Sequence, residues 1–352
     1  MHGEPIGPMN LSWPKNCWYV AAWDHDVKRL HTLRRILLGD AVVLYRKTDG
    51  KPVALEDRCC HRHAPLSHGK LKGDNIQCAY HGFTFGPDGV CTRIPTQEDI
   101  PGSAKVRSYP VAEKYHWIWI WLGDPEKADE DLIPDFGVMG HPDWSWKGET
   151  LYVEGNYMLV VENLMDLTHL PTLHPTTLAN TVIPETEYPL EFNIGDDSIE
   201  VNRWAGDTHV PGYFRVLAGL DKDINVDRWM YTTYSPPSFV RIDIGAAETG
   251  SGAKDGDRSK GVTTWNLNAI TPETERTSHY FWAQAEDFAT DDPTLTELDF
   301  QLVHQAFQED LAIIKGQQKN IDLNPGATRV HQDADRGGVA ARQMVEQMIE
   351  AE

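Results

Sequence analysis

The chain has 352 residues, 40% hydrophobic and 24% charged, proportions ordinary for a soluble globular protein long enough for two domains. A formal net charge of −21 argues against a nucleic-acid backbone or an anionic membrane surface as partner, so an anionic substrate would need local Arg or Lys. Five cysteines without disulfide-like spacing suit a reducing compartment, and no stretch approaches the ~20 apolar residues that span a bilayer. The opening "MHGEPIGPMNLSW" has no apolar run of signal-peptide type, which makes the expected location cytoplasmic.

In chain order, "CWYVAAW", "RILLGDAVVLYR", "PVALED" and "YHWIWIWLG" read as short strands, rich in β-branched and aromatic residues and punctuated by Gly, Asp and Pro. "PDG" at 87–89 is turn chemistry. "GDPEKADEDLIPDFG" reads as a linker, so the expected division is 1–135 and 136–352. Beyond it the pattern is α+β. "YMLVVENLMDLTHL" is helix-like, "SIEVNRW" and "FVRIDIGAA" alternate as strands, and "ETGSGAKDGDRSKG" reads as an exposed loop. The start signal "TDDP" precedes a long helix, "LTELDFQLVHQAFQEDLAIIKGQQKNI", and "AARQMVEQMIEAE" closes the chain as a short amphipathic helix.

Two mixed pairs carry the first chemistry: Cys59-x-His61 and Cys78-x-x-His81. Structural zinc is the plain alternative, but common zinc fingers group like ligands together. One Cys and one His in each pair suits a [2Fe–2S] cluster in which Cys59 and Cys78 hold one iron, and His61 and His81 the other. Neutral imidazoles make such a Rieske centre less negative and easier to reduce. Gly69 and Gly82 fit loops that bring main-chain N–H groups near the sulfurs. Cys17 and Cys91 read as buried thiols; Cys60, His63 and His68 are not ligands in this reading.

A one-electron relay needs a destination. In "ENLMDLTHLPTLH", Asn163, Asp166 and His169 fall on one stripe of a helix, and Pro171 disrupts the helix after His169, letting His174 swing back to the same point. Two histidines plus one carboxylate make the facial triad of mononuclear non-haem Fe(II), with positions left for O2 and substrate. On the late helix, Phe300, Val303, Phe307, Leu311 and Ile314 define an apolar face flanked by Leu302, Ala306 and Ile313. Asp310 falls inside that arc and Glu309 at its edge; Asp299 is the second choice for the third ligand.

The chain resembles the Rieske non-haem iron aromatic oxygenases, most of all the vanillate O-demethylase and dicamba monooxygenase type. The resemblance rests on "NCWYVAAW", "CCHRHAPLSHG", "CAYHG", "ENLMDLTHLPTLH", "VDRW", "ITPET", "HYFWAQAEDF" and "FQEDLAII". It implies an N-terminal antiparallel β Rieske domain and a C-terminal helix-grip catalytic domain. It implies cluster ligands Cys59, His61, Cys78 and His81, and iron ligands His169, His174 and Asp310. Asp166 would bridge His169 to His81 of a neighbouring chain in a head-to-tail homotrimer, and Asn163 would lie near the iron. A separate flavin and iron–sulfur reductase would supply electrons from NAD(P)H. The expected activity is monooxygenation of a small aromatic, either O-demethylation releasing formaldehyde or methyl hydroxylation. A ring-hydroxylating dioxygenase of the phthalate type and a non-catalytic Rieske electron carrier are the alternatives. Arg203, Arg215 and Arg241 are candidates for holding a substrate anion, with a surface position or a structural salt bridge the plainer reading of each, and Trp282 and Phe288 are candidates for lining its pocket, with core packing the commoner role of such aromatics.

Overall fold

The computed structural model describes residues 12–178, 188–221, 223–288 and 290–352; most of the opening stretch assessed for a signal peptide lies outside the described residues. No described helix is long and apolar enough to cross a membrane. The chain forms two compact units: residues 14–133 with 271–274 and Glu352, and residues 134–270 and 275–351 with Ser12 and Trp13. The change of unit between Ile133 and Pro134 falls inside the charged, proline-bearing stretch read as a linker.

The first unit is β-rich. Its strands are β1 (Trp18–Trp23), β2 (Leu33–Leu37), β3 (Asp40–Arg46), β4 (Pro52–Glu56), β5 (Lys70–Lys72), β6 (Asn75–Gln77), β7 (Thr84–Phe85), β8 (Cys91–Arg93), β9 (Ser108–Tyr109), β10 (Val111–Lys114) and β11 (Trp117–Trp121). They form antiparallel sheets in the orders β1-β11-β10, β2-β3-β4-β9 and β5-β6-β7-β8. "WIWIW" is buried at every position, which explains an uninterrupted apolar run where one solvated face would give alternation. "RILLGDAVVLYR" is a hairpin: Leu37 pairs with Asp40, and Leu38 and Gly39 both take positive φ, 53° and 80°, as a two-residue turn of matching twist requires.

The second unit holds β12 (Ser145–Val153), α1 (Tyr157–Met165), α2 (Leu170–Leu173), β13 (Glu191–Ile194), β14 (Ile199–His209), α3 (Gly212–Ala218), β15 (Asn225–Ser235), β16 (Phe239–Glu248), β17 (Gly261–Thr274, its last four residues falling to the first unit), β18 (Thr277–Glu286), α4 (Pro293–Leu323) and α5 (Arg336–Glu350). Its strands make one seven-stranded antiparallel sheet, β12-β18-β17-β16-β15-β14-β13. With α4 laid on β12 and β18, this is the α+β helix-grip arrangement expected. Trp282 of β18 is fully buried, stacked on Phe300 with ring centroids 4.9 Å apart and edge-on to Phe307 at 4.8 Å. It is core, not pocket lining, and so is half-buried Phe288. The loop at 248–261 is largely exposed, but Ala253 is buried and Arg258 reaches back to Asp243 at 2.6 Å.

The expected helix over 157–170 is broken. α1 starts on Asn156, whose side chain accepts from the Met158 amide, and stops at Met165. Asp166 is extended (φ −100°, ψ 107°), and its Oδ1 accepts from the Thr168 amide at 2.7 Å and hydroxyl at 2.6 Å. That local turn competes with the helix and ends it before Pro171, which sits inside the short α2. Asn163, Asp166 and His169 therefore do not share one helical stripe.

Candidate metal centres and cavity

In the first unit, the loops after β4 and β6 carry the two Cys/His pairs. Cys59 and Cys78 are each 2% exposed, whereas His61 and His81 are exposed with ring centroids 4.5 Å apart. Phe83 stacks on His61 at 4.9 Å and Tyr80 lies against His81 at 3.8 Å. The loops are pinned by their backbone: Cys59 N–H donates to Ala64 O, and Cys78 N–H to Phe83 O. Gly82, at φ 74°, closes the second loop by donating to Cys78 O at 3.1 Å; Gly69 donates to Leu66 O at 2.8 Å. Both glycine amides serve carbonyls, while the loops they close bring another main-chain N–H, that of His61, to the Cys59 sulfur. The His61 amide is the one that favours a thiolate on Cys59, while burial and neighbouring Cys78 push that thiol up to about 12. Two adjacent buried thiols beneath two paired imidazoles suit a cation-bearing group with sulfur ligands inside and nitrogen ligands outside. All five cysteines are free.

In the second unit, one donor atom each from His169, His174 and Asp310 lies within 4.8 Å of the others. Each ring is oriented from behind. His169 Nδ1–H donates to the Asp166 main-chain carbonyl at 2.6 Å, and His174 Nδ1–H to Glu309 Oε2 at 2.6 Å. Both Nε2 lone pairs are thereby turned toward Asp310 Oδ1, 3.6 Å from His169 and 3.2 Å from His174. His174 is 1% exposed and its Nε2 lacks a partner of hydrogen-bond geometry. Two imidazole nitrogens and a carboxylate oxygen converging on one point are a donor set that fits a metal ion. Asn163 Nδ2 donates to the same Oδ1 at 2.8 Å.

The structure also separates residues that periodicity grouped. Asp299 lies three turns before Asp310 on α4, roughly 16 Å along its axis, and hydrogen-bonds Tyr213. Glu309, which the helical projection left at the edge of the apolar arc, is the residue that orients His174. The adjacent acids Glu309 and Asp310, 100° apart on the helix, were the available signal. The carboxylate of Asp166 faces Thr168 rather than His169, and its Oδ2 has no hydrogen bond to another described residue.

A cavity opens onto the three donors. Leu164, Leu178, Phe214, Met230, Ile242 and Phe307 make its wall largely apolar, and Arg228, Asn266 and Gln284 add polar groups. Such a mixture suits a small organic ring with a few oriented polar substituents. The three arginines expected to matter divide. Arg203 is buried beside Arg228 in an adjoining recess, Arg215 is exposed on α3, and Arg241 donates to Asp135 O at 3.0 Å. Arg228 was missed. The strand register shows why it belongs: Arg228 pairs with Ala205 and Met230 with Arg203, so all four side chains share one face of the sheet. Burial, and secondarily the charge of Arg203, lowers its guanidinium to about 10.

Residues 17–110 match the Rieske [2Fe–2S] domain family, and residues 153–351 match the family described as the vanillate O-demethylase oxygenase C-terminal domain. The toluene-4-sulfonate monooxygenase system iron–sulfur subunit of Comamonas testosteroni is 40% identical over 96% of this chain and 97% of its own. The vanillate O-demethylase oxygenase subunit of a Pseudomonas species is 33% identical over 97% and 96%. Among solved structures, dicamba monooxygenase bound to 3,6-dichlorosalicylic acid matches with a TM-score of 0.88 at 30% identity, covering 96% of this chain and 98% of that one.

Proposed function

From a chain that belongs to the Rieske non-haem iron oxygenases with the vanillate O-demethylase type of C-terminal domain, we propose an enzyme that hydroxylates the methyl or methoxy carbon of a small aromatic acid. The observation that carries this reading is the convergence of His169, His174 and Asp310 at the wall of a largely apolar cavity. These three residues would hold the iron, and Cys59, His61, Cys78 and His81 the cluster, within domains spanning 136–352 and 1–135. When bound, the cluster supplies single electrons drawn from NAD(P)H through a separate reductase, and the iron supplies O2 activation. The net reaction is C–H + O2 + two electrons + two protons → C–OH + water. On a methoxy group the product is a hemiacetal, which collapses to a phenol and formaldehyde.

The chain's own residues do the rest. Asp166 O and Glu309 fix the imidazole tautomers, and Asn163 neutralises part of the Asp310 charge with its N–H. The apolar wall excludes water and holds the ring. The Arg228 guanidinium favours a carboxylate or sulfonate on it. The relatives named for sulfonated and methoxylated aromatic acids support that substrate class.

The test is product analysis. With a reductase, NADH and labelled O2, methoxybenzoates should yield formaldehyde and methylbenzoates or toluenesulfonate a benzylic alcohol, one labelled atom entering the organic product. cis-Dihydrodiols across the panel, with neither of these products, would overturn the reading in favour of ring dihydroxylation.

A further inference from the structure

One wall of the cavity is polar, and its hydrogen bonds run link by link from a main-chain carbonyl. Asn268 Nδ2 donates to Val240 O at 3.0 Å and to Asn266 Oδ1 at 2.7 Å, while Asn268 Oδ1 accepts from the Tyr280 hydroxyl at 2.5 Å. The Val240 carbonyl can only accept, so it fixes which end of the Asn268 amide is nitrogen. The next amides follow in turn. Asn266 presents Oδ1 to Asn268 and Nδ2 to Gln284, whose Oε1 accepts at 3.1 Å. Gln284 Nε2 then points the other way and donates to Tyr213 Oη at 3.3 Å, and Tyr213 gives its own proton to Asp299 Oδ1 at 2.5 Å. All three amides are buried, where a flipped one would leave polar groups facing like groups.

With the orientations fixed, what remains unused is also fixed. An amide carries two N–H protons and an oxygen with two lone pairs. Among the described residues, Asn266 spends one N–H on Gln284, and Gln284 Oε1 spends one lone pair on Asn266. One donor and one acceptor are left over, on two touching side chains that both line the cavity. Their place along α4 follows from the ends of the chain of bonds. Tyr280 packs on Phe307, three residues before Asp310, with ring centroids 5.2 Å apart, whereas Asp299 lies roughly 16 Å from Asp310 along that helix. The pair sits between these ends, which suits holding a ring and not making or breaking its bonds. Beyond Gln284 stand two buried acids, Asp299 and Glu286, each 1% exposed. An anionic substituent at the pair would meet them and the Gln284 oxygen, all of which repel it.

We propose that Asn266 and Gln284 are specificity-determining residues that read a neutral ring substituent able to donate and accept at once, a hydroxyl or an amino group. The inference rests on the reading of the cavity as the site of a small aromatic acid, and adds to that ring a second polar substituent. Its proton goes to Gln284 Oε1, and its lone pair takes the remaining Asn266 N–H. A methoxy group only accepts, and a ring hydrogen does neither, so each leaves the Gln284 lone pair buried without a donor. The acid belongs at the Arg228 side of the cavity, away from Asp299 and Glu286. Held at these two points, the ring has one orientation in which to offer its methyl or methoxy carbon to the donor centre.

The test is calorimetric binding to the full-length holoenzyme without reductase, so that no turnover intervenes. The ligands are methoxybenzoates and methylbenzoates with a hydroxyl or amino group at each free ring position. Each is matched with compounds carrying hydrogen, methoxy or a second carboxylate there. At one position or more, the hydroxyl form should bind about 10–100-fold more tightly than its hydrogen, methoxy and carboxylate counterparts, with the amino form between. In Gln284→Met and Asn266→Asp, checked for iron content and melting temperature, that preference should fall below about threefold. A parent that binds the acids with no preference for the hydroxyl at any position overturns the assignment, and so does a parental preference in either folded variant. If neither variant folds, a crystal structure of the parent with the tightest hydroxylated acid decides. The hydroxyl oxygen is expected within about 3.2 Å of both Asn266 Nδ2 and Gln284 Oε1, and a hydroxyl elsewhere overturns the assignment. Preferential binding without any oxidised product on adding reductase, NADH and O2 overturns the monooxygenase reading and leaves the assignment standing. Binding of none of the acids overturns both.

Discussion

The two imidazoles that face Asp310 owe their direction to acceptors behind each ring, and those acceptors differ in kind. For His169 it is a main-chain carbonyl, which no substitution at residue 166 removes. Asp166→Asn is therefore expected to keep the mononuclear iron and the cluster but to slow turnover at least 10-fold, because the side chain loses its charge and not its place. Parental turnover at full iron content would leave Asp166 without a role in electron supply. For His174 the acceptor is the Glu309 carboxylate, supported by the Thr177 hydroxyl at 3.3 Å. Glu309→Ala should weaken mononuclear iron binding about 10–100-fold while sparing the cluster absorption, a contrast that metal analysis against chelator concentration resolves. Residue spacing alone exposed the Cys59/His61 and Cys78/His81 pairs. It could not expose Glu309, because which acid of an adjacent pair faces a histidine depends on how α4 is rotated against its neighbours.

At the scale of elements, the same limit explains what the sequence concealed. The apolar arc on α4 was legible: Phe300, Val303, Phe307 and Ile314 are buried as expected, although Ile313, placed at its flank, is 50% exposed. β17 and β18 were legible only through resemblance, since Asn266, Asn268 and Gln284 point inward and spoil the apolar alternation that marks a strand. The end of α1 was hidden because an aspartate bonding two residues ahead is invisible to periodicity. A glycine on β16 shows an element-level constraint of another kind. Gly245 pairs with Trp229, and a Cβ there would lie 1.9 Å from the indole, which stacks on Trp204 at 6.2 Å. Gly245→Ala should cost about 1–3 kcal/mol by overpacking, read as a lower denaturation midpoint with iron content unchanged in the folded fraction.

For the whole molecule, the separate donor sets predict three irons per chain, two in the cluster and one mononuclear. Two irons with intact cluster absorption would point to an electron carrier, and zinc without visible absorption would remove the cluster altogether. The oligomer is a proposal: a head-to-tail ring, of three chains by the family resemblance, in which Asp166 Oδ2 faces His81 of the next copy. Chains carrying Cys78→Ser and chains carrying His169→Ala should each be inactive alone and regain part of the activity in mixed rings. Mixed rings of correct size with both metals present and no activity would place electron transfer within one chain.

The centre around α1 is closed from far downstream. Glu162 is held by Arg329, 167 residues on, and by Arg342, 180 residues on; Glu309 follows His174 by 135 residues, and Asp310 follows Asn163 by 147. A ribosome adding ~5–20 residues per second therefore leaves the two histidines without their carboxylates for roughly 7–27 s. During that interval the nascent chain presents a bare imidazole pair, a site with no preference for iron over copper or zinc. The donor set is complete only when α4 is in place, so selective metal loading is expected of the finished polypeptide.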